Sequence, residues 1–157
     1  MEEEPVLSFS PTPKLEKALK NIQAELTTLG NCLVSLDSEE RAYLQKCAMI
    51  STIGASTRIE NAVLTDAEIE WVDTALTSPE GQTATFEERK VFILDKLSKD
   101  RERSIEEVVG CREVLSLIYL QGEELSPLTE TAIRGLHHTL LAYHPAAVDY
   151  AGGYKTL

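Results

Sequence analysis

The sequence predicts an all-α fold, a helical bundle, and three observations lead there. Apolar residues recur at helical spacing through most of the chain. No segment alternates apolar and polar residues over the length of a strand. Three times a Ser or Thr stands three residues ahead of a Glu where an apolar-periodic run begins, the pattern of a capping box.

The elements follow in order. Residues 1–10 form an acidic lead, punctuated by Pro11 and Pro13, and Pro is favoured at helix starts. From Lys14, Leu15, Ala18, Leu19, Ile22, Leu26 and Leu29 keep helical spacing, and Gly30-Asn31 is the expected stop. A second helix is expected near Asp37-Ser38, with Glu39 and Glu40 in its first turn, where the helix dipole favours anions. Leu44, Ala48, Ala55 and Ile59 are its expected stripe, with Gly54 marking a kink or a close contact. Thr65 with Glu68 starts a helix carrying Ile69, Val72 and Leu76. Thr85 with Glu88 starts one carrying Val91, Phe92, Leu94 and Leu97. Ser104 with Glu107 starts one carrying Val108, Cys111, Val114, Leu115, Ile118 and Tyr119. Thr77 to Ala84, with Pro79 and Gly81, reads as a loop, and Gly122 to Pro127 as a connector. Thr129 opens a helix with Ile133, Leu136, His137, Leu140 and Leu141. The tail from His144, containing Pro145 and Gly152-Gly153, reads as irregular. Two sub-regions are expected, 1–76 and 85–157.

Bulk properties exclude several function classes. At a formal net charge of -11, the 157-residue chain lacks the clustered Lys and Arg of a broad nucleic-acid surface, and anionic membranes would repel it. Its apolar runs fall far short of the roughly 20 residues of a membrane span, and the N-terminus is not a signal peptide. Cys32, Cys47 and Cys111, odd in number and widely spaced, read as buried small side chains in a reducing compartment, with no metal site. A cytoplasmic location is the expectation.

The segment with chemical content is Ser56-Thr57-Arg58-Ile59-Glu60-Asn61. Positions four apart on a helix share a face, so Ser56 and Glu60 present a hydroxyl and a carboxylate side by side. Asn61 tolerates the left-handed geometry that ends many helices. Other polar groups have simpler readings. His137 is a packed or hydrogen-bonded helix residue, and His137, His138 and His144 do not make a zinc site. Gly152-Gly153 is too little for a phosphate cradle, Trp71 is core, Glu123-Glu124 is a solvated loop, and no nucleophilic triad is visible.

Residues 56–61 have the form Ser/Thr-x-x-x-Glu-Gly/Asn and resemble the inhibitory motif of the Fic family. Residues 11–36 are similar to the family's lead-in helix and 48–66 to its inhibitory segment. Residues 113–157, with EVLSLIYL, TETAIRGLHHTLL and AGGYKTL, are similar to the start of its core. The resemblance implies a partial Fic fold with an N-terminal inhibitory helix: residues 1–76 the Fic N-terminal region, and 85–157 the start of the core domain. It also implies protein adenylyltransfer, the passage of AMP from ATP onto a protein hydroxyl with Mg2+. ATP and a protein substrate would be partners of the complete protein. The catalytic signature, His-Pro-Phe followed by Asn-Gly-Arg, is absent from these residues and would lie downstream. Its His would be the general base. No catalytic or metal-binding residue is therefore expected in this chain, and none of these cofactors is expected bound to it. Glu60 would pair with the signature Arg that otherwise grips the terminal phosphate, Ser56 would orient the same turn, and Asn61 would end it. Lys155 stands where the family has Arg, and an ammonium does not reproduce a forked donor. Self-association through the apolar core face around Leu140 is a further expectation. The alternative is a stand-alone helical module that inhibits a separate Fic enzyme in trans. A third possibility is an unrelated helical interaction protein.

Overall fold

The computed structural model describes residues 10–77 and 84–154. Among them, six α-helices run in order: α1 (Pro13–Val34), α2 (Ser38–Ile59), α3 (Asp66–Leu76), α4 (Phe86–Leu97), α5 (Glu102–Gln121) and α6 (Glu130–Leu141). Short 3-10 turns occupy Lys99–Arg101 and Val148–Tyr150, and no strand is present among the described residues. The all-α class is as the sequence predicts. No helix among these residues is long and apolar enough to cross a membrane. Most of the lead before α1, the interior of the expected loop with Pro79 and Gly81, and Lys155 lie outside the described residues.

The chain divides into two compact units, Met1–Leu44 and Gln45–Leu157. In the first, Thr12 caps α1 by accepting from the Leu15 amide at 3.3 Å, with Pro13 at the first helical position. The helix does not stop at Gly30-Asn31. It continues to Val34, and its end is closed by Ser35, whose hydroxyl donates to the Cys32 carbonyl at 2.6 Å. Gly30 is a weak helix former but no stop unless it turns left-handed, and it does not. Helix α1 buries none of its residues. Asp37 begins α2 as expected, its carboxylate accepting from the amides of Glu39 and Glu40 at 2.8 Å each.

The second unit holds the core. Ile50 and Ile53 of α2, Ile69, Val72 and Leu76 of α3, Phe86, Ile93 and Leu94 of α4, and Ile105, Val108 and Val109 of α5 form one buried cluster. Segments on both sides of residues 78–83 thus share a single core. Capping boxes at Thr65 and Thr85 are complete, and Thr129 caps α6 by accepting from the Ala132 amide at 3.1 Å.

Several expectations are corrected. On α2 the buried face is Ile50, Ile53, Gly54 and Thr57, while Leu44 and Ile59 are exposed. Gly54 and Thr57 complete that face beside the two isoleucines, and a stripe drawn from large apolar side chains overlooks them. Gly54 does not interrupt α2; a side chain there would meet the Arg58 guanidinium and the Asp66 carboxylate, which pair at 2.8 Å. On α4, Val91 and Phe92 point outward and Phe86 and Ile93 pack inward, Phe92 lying against the half-buried Trp71 at 5.5 Å between rings. Helix α5 starts at Glu102, so Ser104 is inside it and not its cap. Of the cysteines only Cys111 is buried, because Cys32 lies on a helix that buries nothing and Cys47 on an outward face of α2. Helix α6 buries none of its residues, leaving Ile133 and Leu140 partly open.

Candidate functional site

The end of α2 is built by its own sequence. The Asn61 amide donates to the Arg58 carbonyl at 3.1 Å and the Ala62 amide to the Thr57 carbonyl at 3.0 Å. Asn61 is left-handed, with φ 66°. These two bonds with a left-handed Asn61 are the Schellman closure, and Thr57 and Ala62 at its two ends are both buried. Glu60 is therefore the last residue before the reversal. Its direction is set by a closure that tolerates Asn or Gly at the next position.

The turn is then held from a distance. Val63 donates its amide to the Ser104 hydroxyl at 3.2 Å, and its carbonyl accepts from the Arg101 guanidinium. Arg101 also forks onto Glu68, at 2.6 and 2.9 Å. Glu68 is the reciprocal partner of the α3 capping box, accepting from the Thr65 amide and hydroxyl at 2.8 Å each. One carboxylate thus joins the start of α3 to the approach to α5, and both peptide groups of Val63 are engaged. The hydrogen bond from Arg101, helped by those from Thr65, holds the Glu68 carboxyl well below its ordinary 4.5, at about 2. A value depressed on folding contributes stability above the ordinary value and loses it as pH falls toward the folded one. We expect about 2–3 kcal/mol of unfolding free energy to be lost through this group between about pH 5 and pH 2. Urea titrations at the two pH values measure it. In Arg101→Ala the loss should shrink clearly, and an unchanged loss would assign the acid sensitivity elsewhere.

Beyond this turn lies a cleft of about 470 Å³, with Ser56, Thr57 and Glu60 on one side. Arg103, Glu107 and Cys111 of α5 form a second wall, and His137 and Leu140 of α6 a third. His144, Ala147 and Tyr150 close it from the segment after α6. Helices α5 and α6 pack closely: a Cβ on Gly110 would collide with the Leu140 carbonyl oxygen.

The polar groups of the cleft are unequally engaged. Arg103 pairs along α5 with Glu107 at 3.0 Å. The Gly152 amide donates to His137 Nδ1 at 2.9 Å. An amide can only donate, so Nδ1 is the acceptor in this bond. Gly152 is left-handed at φ 72°, and its carbonyl accepts from Arg134 at 2.6 Å, so α6 holds the glycine turn from both sides. This gives His137 the hydrogen-bonded role expected of it. His144 Nδ1 is buried with no hydrogen-bond partner among the described residues. Burial pushes the Cys111 thiol up, which disfavours the thiolate. Tyr143, whose ring lies edge-on to Phe86, is pushed well above its ordinary value by burial and by its 2.7 Å hydrogen bond to Glu113. Glu60 is exposed and makes no ion pair among the described residues.

The structure therefore brings Ser56 and Glu60 to a cleft, with Asn61 setting the turn beside them. The sequence did not disclose the other walls, although the i,i+4 spacing of Arg103 and Glu107 was a legible sign of a helical pair. No three or more His, Cys, Asp or Glu side chains among the described residues are grouped as a metal site requires. Comparison with protein-family models, with characterised proteins and with solved structures yields no match.

Proposed function

We propose that this chain is the autoinhibitory N-terminal part of a Fic-type protein adenylyltransferase, with Glu60 as the gate. The observation that carries the reading is the placement of Glu60. It is the last residue of a closed helix end, on the rim of an open cleft, without a cationic partner among the described residues. A carboxylate so placed can receive a guanidinium in a forked pair. In the complete protein that guanidinium would be the signature Arg, drawn away from the terminal phosphate of ATP. Ser56, one turn earlier on the same cleft wall, orients the turn, and Asn61 fixes the angle at which Glu60 leaves it.

In this reading the nucleotide and its Mg2+ are held by the signature and not by the residues described here. The cleft carries two carboxylates, its one arginine is paired with Glu107, and no acidic cluster offers itself to a metal. Nucleotide, metal and general base belong to the signature that would follow. The part of this chain is to set the population of the competent state, which needs a bias of only a few kcal/mol.

The test requires a reading frame in which the expected signature follows residue 157. Glu60→Gly should raise transfer of AMP to protein by about 10–100-fold, the usual span of an allosteric coupling. It should have no effect on residues 1–157 alone, which should transfer none. Equal transfer by wild-type and Glu60→Gly forms of the longer protein, or absence of the signature from the frame, would overturn the reading.

A further inference from the structure

Helix α1 carries an uncovered apolar face. Leu15, Ile22 and Leu29 stand seven residues apart, as do Leu19, Leu26 and Leu33, and together they alternate by four and three. This is the a/d pattern of a coiled coil, kept over the whole helix. Leu19, Ile22, Leu26 and Leu29 are each more than half exposed (53–56%), and α1 buries nothing. A strict repeat of seven drifts around a straight helix of 3.6 residues per turn. It remains on one line only when the helix supercoils with another helix of the same period. The period thus points to a helix as the occupant, and the helix known to carry it is α1 itself.

We propose that α1 packs along α1 of a second copy of this chain as an antiparallel two-helix coiled coil. In that direction Leu15 meets Leu33, Leu19 meets Leu29 and Ile22 meets Leu26, so every seam residue is covered. Charge agrees. Lys14, Lys17 and Lys20 with Glu16 give the first half of α1 a net +2, and Glu25 gives the second half a net -1, so antiparallel pairing sets opposite charges against each other. The acidic remainder of each chain follows the C-terminal end of its own α1. Antiparallel pairing therefore sends the two remainders off opposite ends of a helix about 33 Å long, whereas parallel pairing would crowd them together. Six seam residues on each copy, each losing on the order of 80 Å², remove about 1,000 Å² in total, enough for a specific interface at the small end of the range.

Sedimentation equilibrium of residues 1–157 decides between the occupants. The wild-type chain should approach twice its 17.4 kDa at high micromolar concentration. Leu19→Lys with Leu26→Lys should return it to single-copy mass with the thermal transition of the core unmoved, because α1 adds nothing to that core. Leu140→Lys, on the open face of α6, should leave the dimer intact. With Cys32 and Cys47 replaced by Ser, an Ile22→Cys chain mixed with a Leu26→Cys chain should crosslink under mild oxidation, while either alone should not. Single-copy mass for the wild type overturns the proposal. So does a dimer that survives the lysine pair, or a monomer whose core melts earlier in that variant, which would mean that α1 is covered by its own chain. Crosslinking of Leu26→Cys alone would overturn the antiparallel arrangement.

Discussion

Gly110→Ala should unfold at a markedly lower temperature than the wild-type chain. The added methyl has no side chain to push aside; it lands on the backbone carbonyl of Leu140, so either α5 or α6 must move as a whole. Overpacking a well-filled site costs about 1–3 kcal/mol, and a clash with backbone belongs at the upper end. For a unit of this size, about 3 kcal/mol lowers the melting temperature by roughly 15 °C. The loss should fall on the cleft first, since α5 and α6 are two of its walls. Gly135→Ala is the matched control: it too is a helical glycine, but a Cβ there meets nothing within 4 Å. It should be neutral or stabilising by up to about 1 kcal/mol, through helix propensity alone. Calorimetry on the pair separates close approach from propensity, and equal behaviour of the two variants would mean that α5 and α6 do not pack as described.

A second large effect is expected at Asp73. Its carboxylate accepts from Arg112 Nε at 2.7 Å, and Arg112 also donates to the Thr77 hydroxyl at 3.0 Å. The side chains are 16% and 10% exposed, so the pair is withdrawn from water. Removing one charge strands the other, and Asp73→Ala should cost about 3–5 kcal/mol in urea unfolding. Replacing both, as Asp73→Leu with Arg112→Met, should recover most of that cost, because an apolar pair of similar volume needs no compensating charge. A cost below about 1 kcal/mol for Asp73→Ala would place the pair among exposed ion pairs, which contribute little. The contrast with Lys46–Glu70, at 3.0 Å but with both side chains more than 40% exposed, makes the same point within one molecule. Distance alone does not rank ion pairs; the water excluded around them does.

The candidate site was legible in the sequence only where it is local. Ser56, Glu60 and Asn61 could be read because a four-residue spacing and a left-handed stop are properties of a few consecutive residues. The cleft beside Glu60 could not. Its other walls come from residues 103–111 and 137–150, and nothing in a local pattern says that Arg103, His137 and His144 will face the end of α2. Ser104 shows the limit from the other side. Ser104 and Glu107 have the spacing of a capping box, yet the helix begins two residues earlier, at Glu102, and the hydroxyl accepts from Val63, forty-one residues away in sequence. Arg101 carried no local signal at all, and it proved to hold both Val63 and Glu68.

By itself, then, the sequence determined the all-α class, the starts of α2, α3, α4 and α6, and the reversal at Asn61. Each of these is decided by hydrogen bonds that reach no more than five residues, and such bonds are available to the chain before any helix meets another. Tertiary structure decided which face of α2 and α4 turned inward, which cysteine was buried, and which charges met across helices. Burial and ion pairing act through space, and several arrangements of the same helices satisfy the same local rules. Close approach at Gly110 and the exclusion of water around Arg112 select among them.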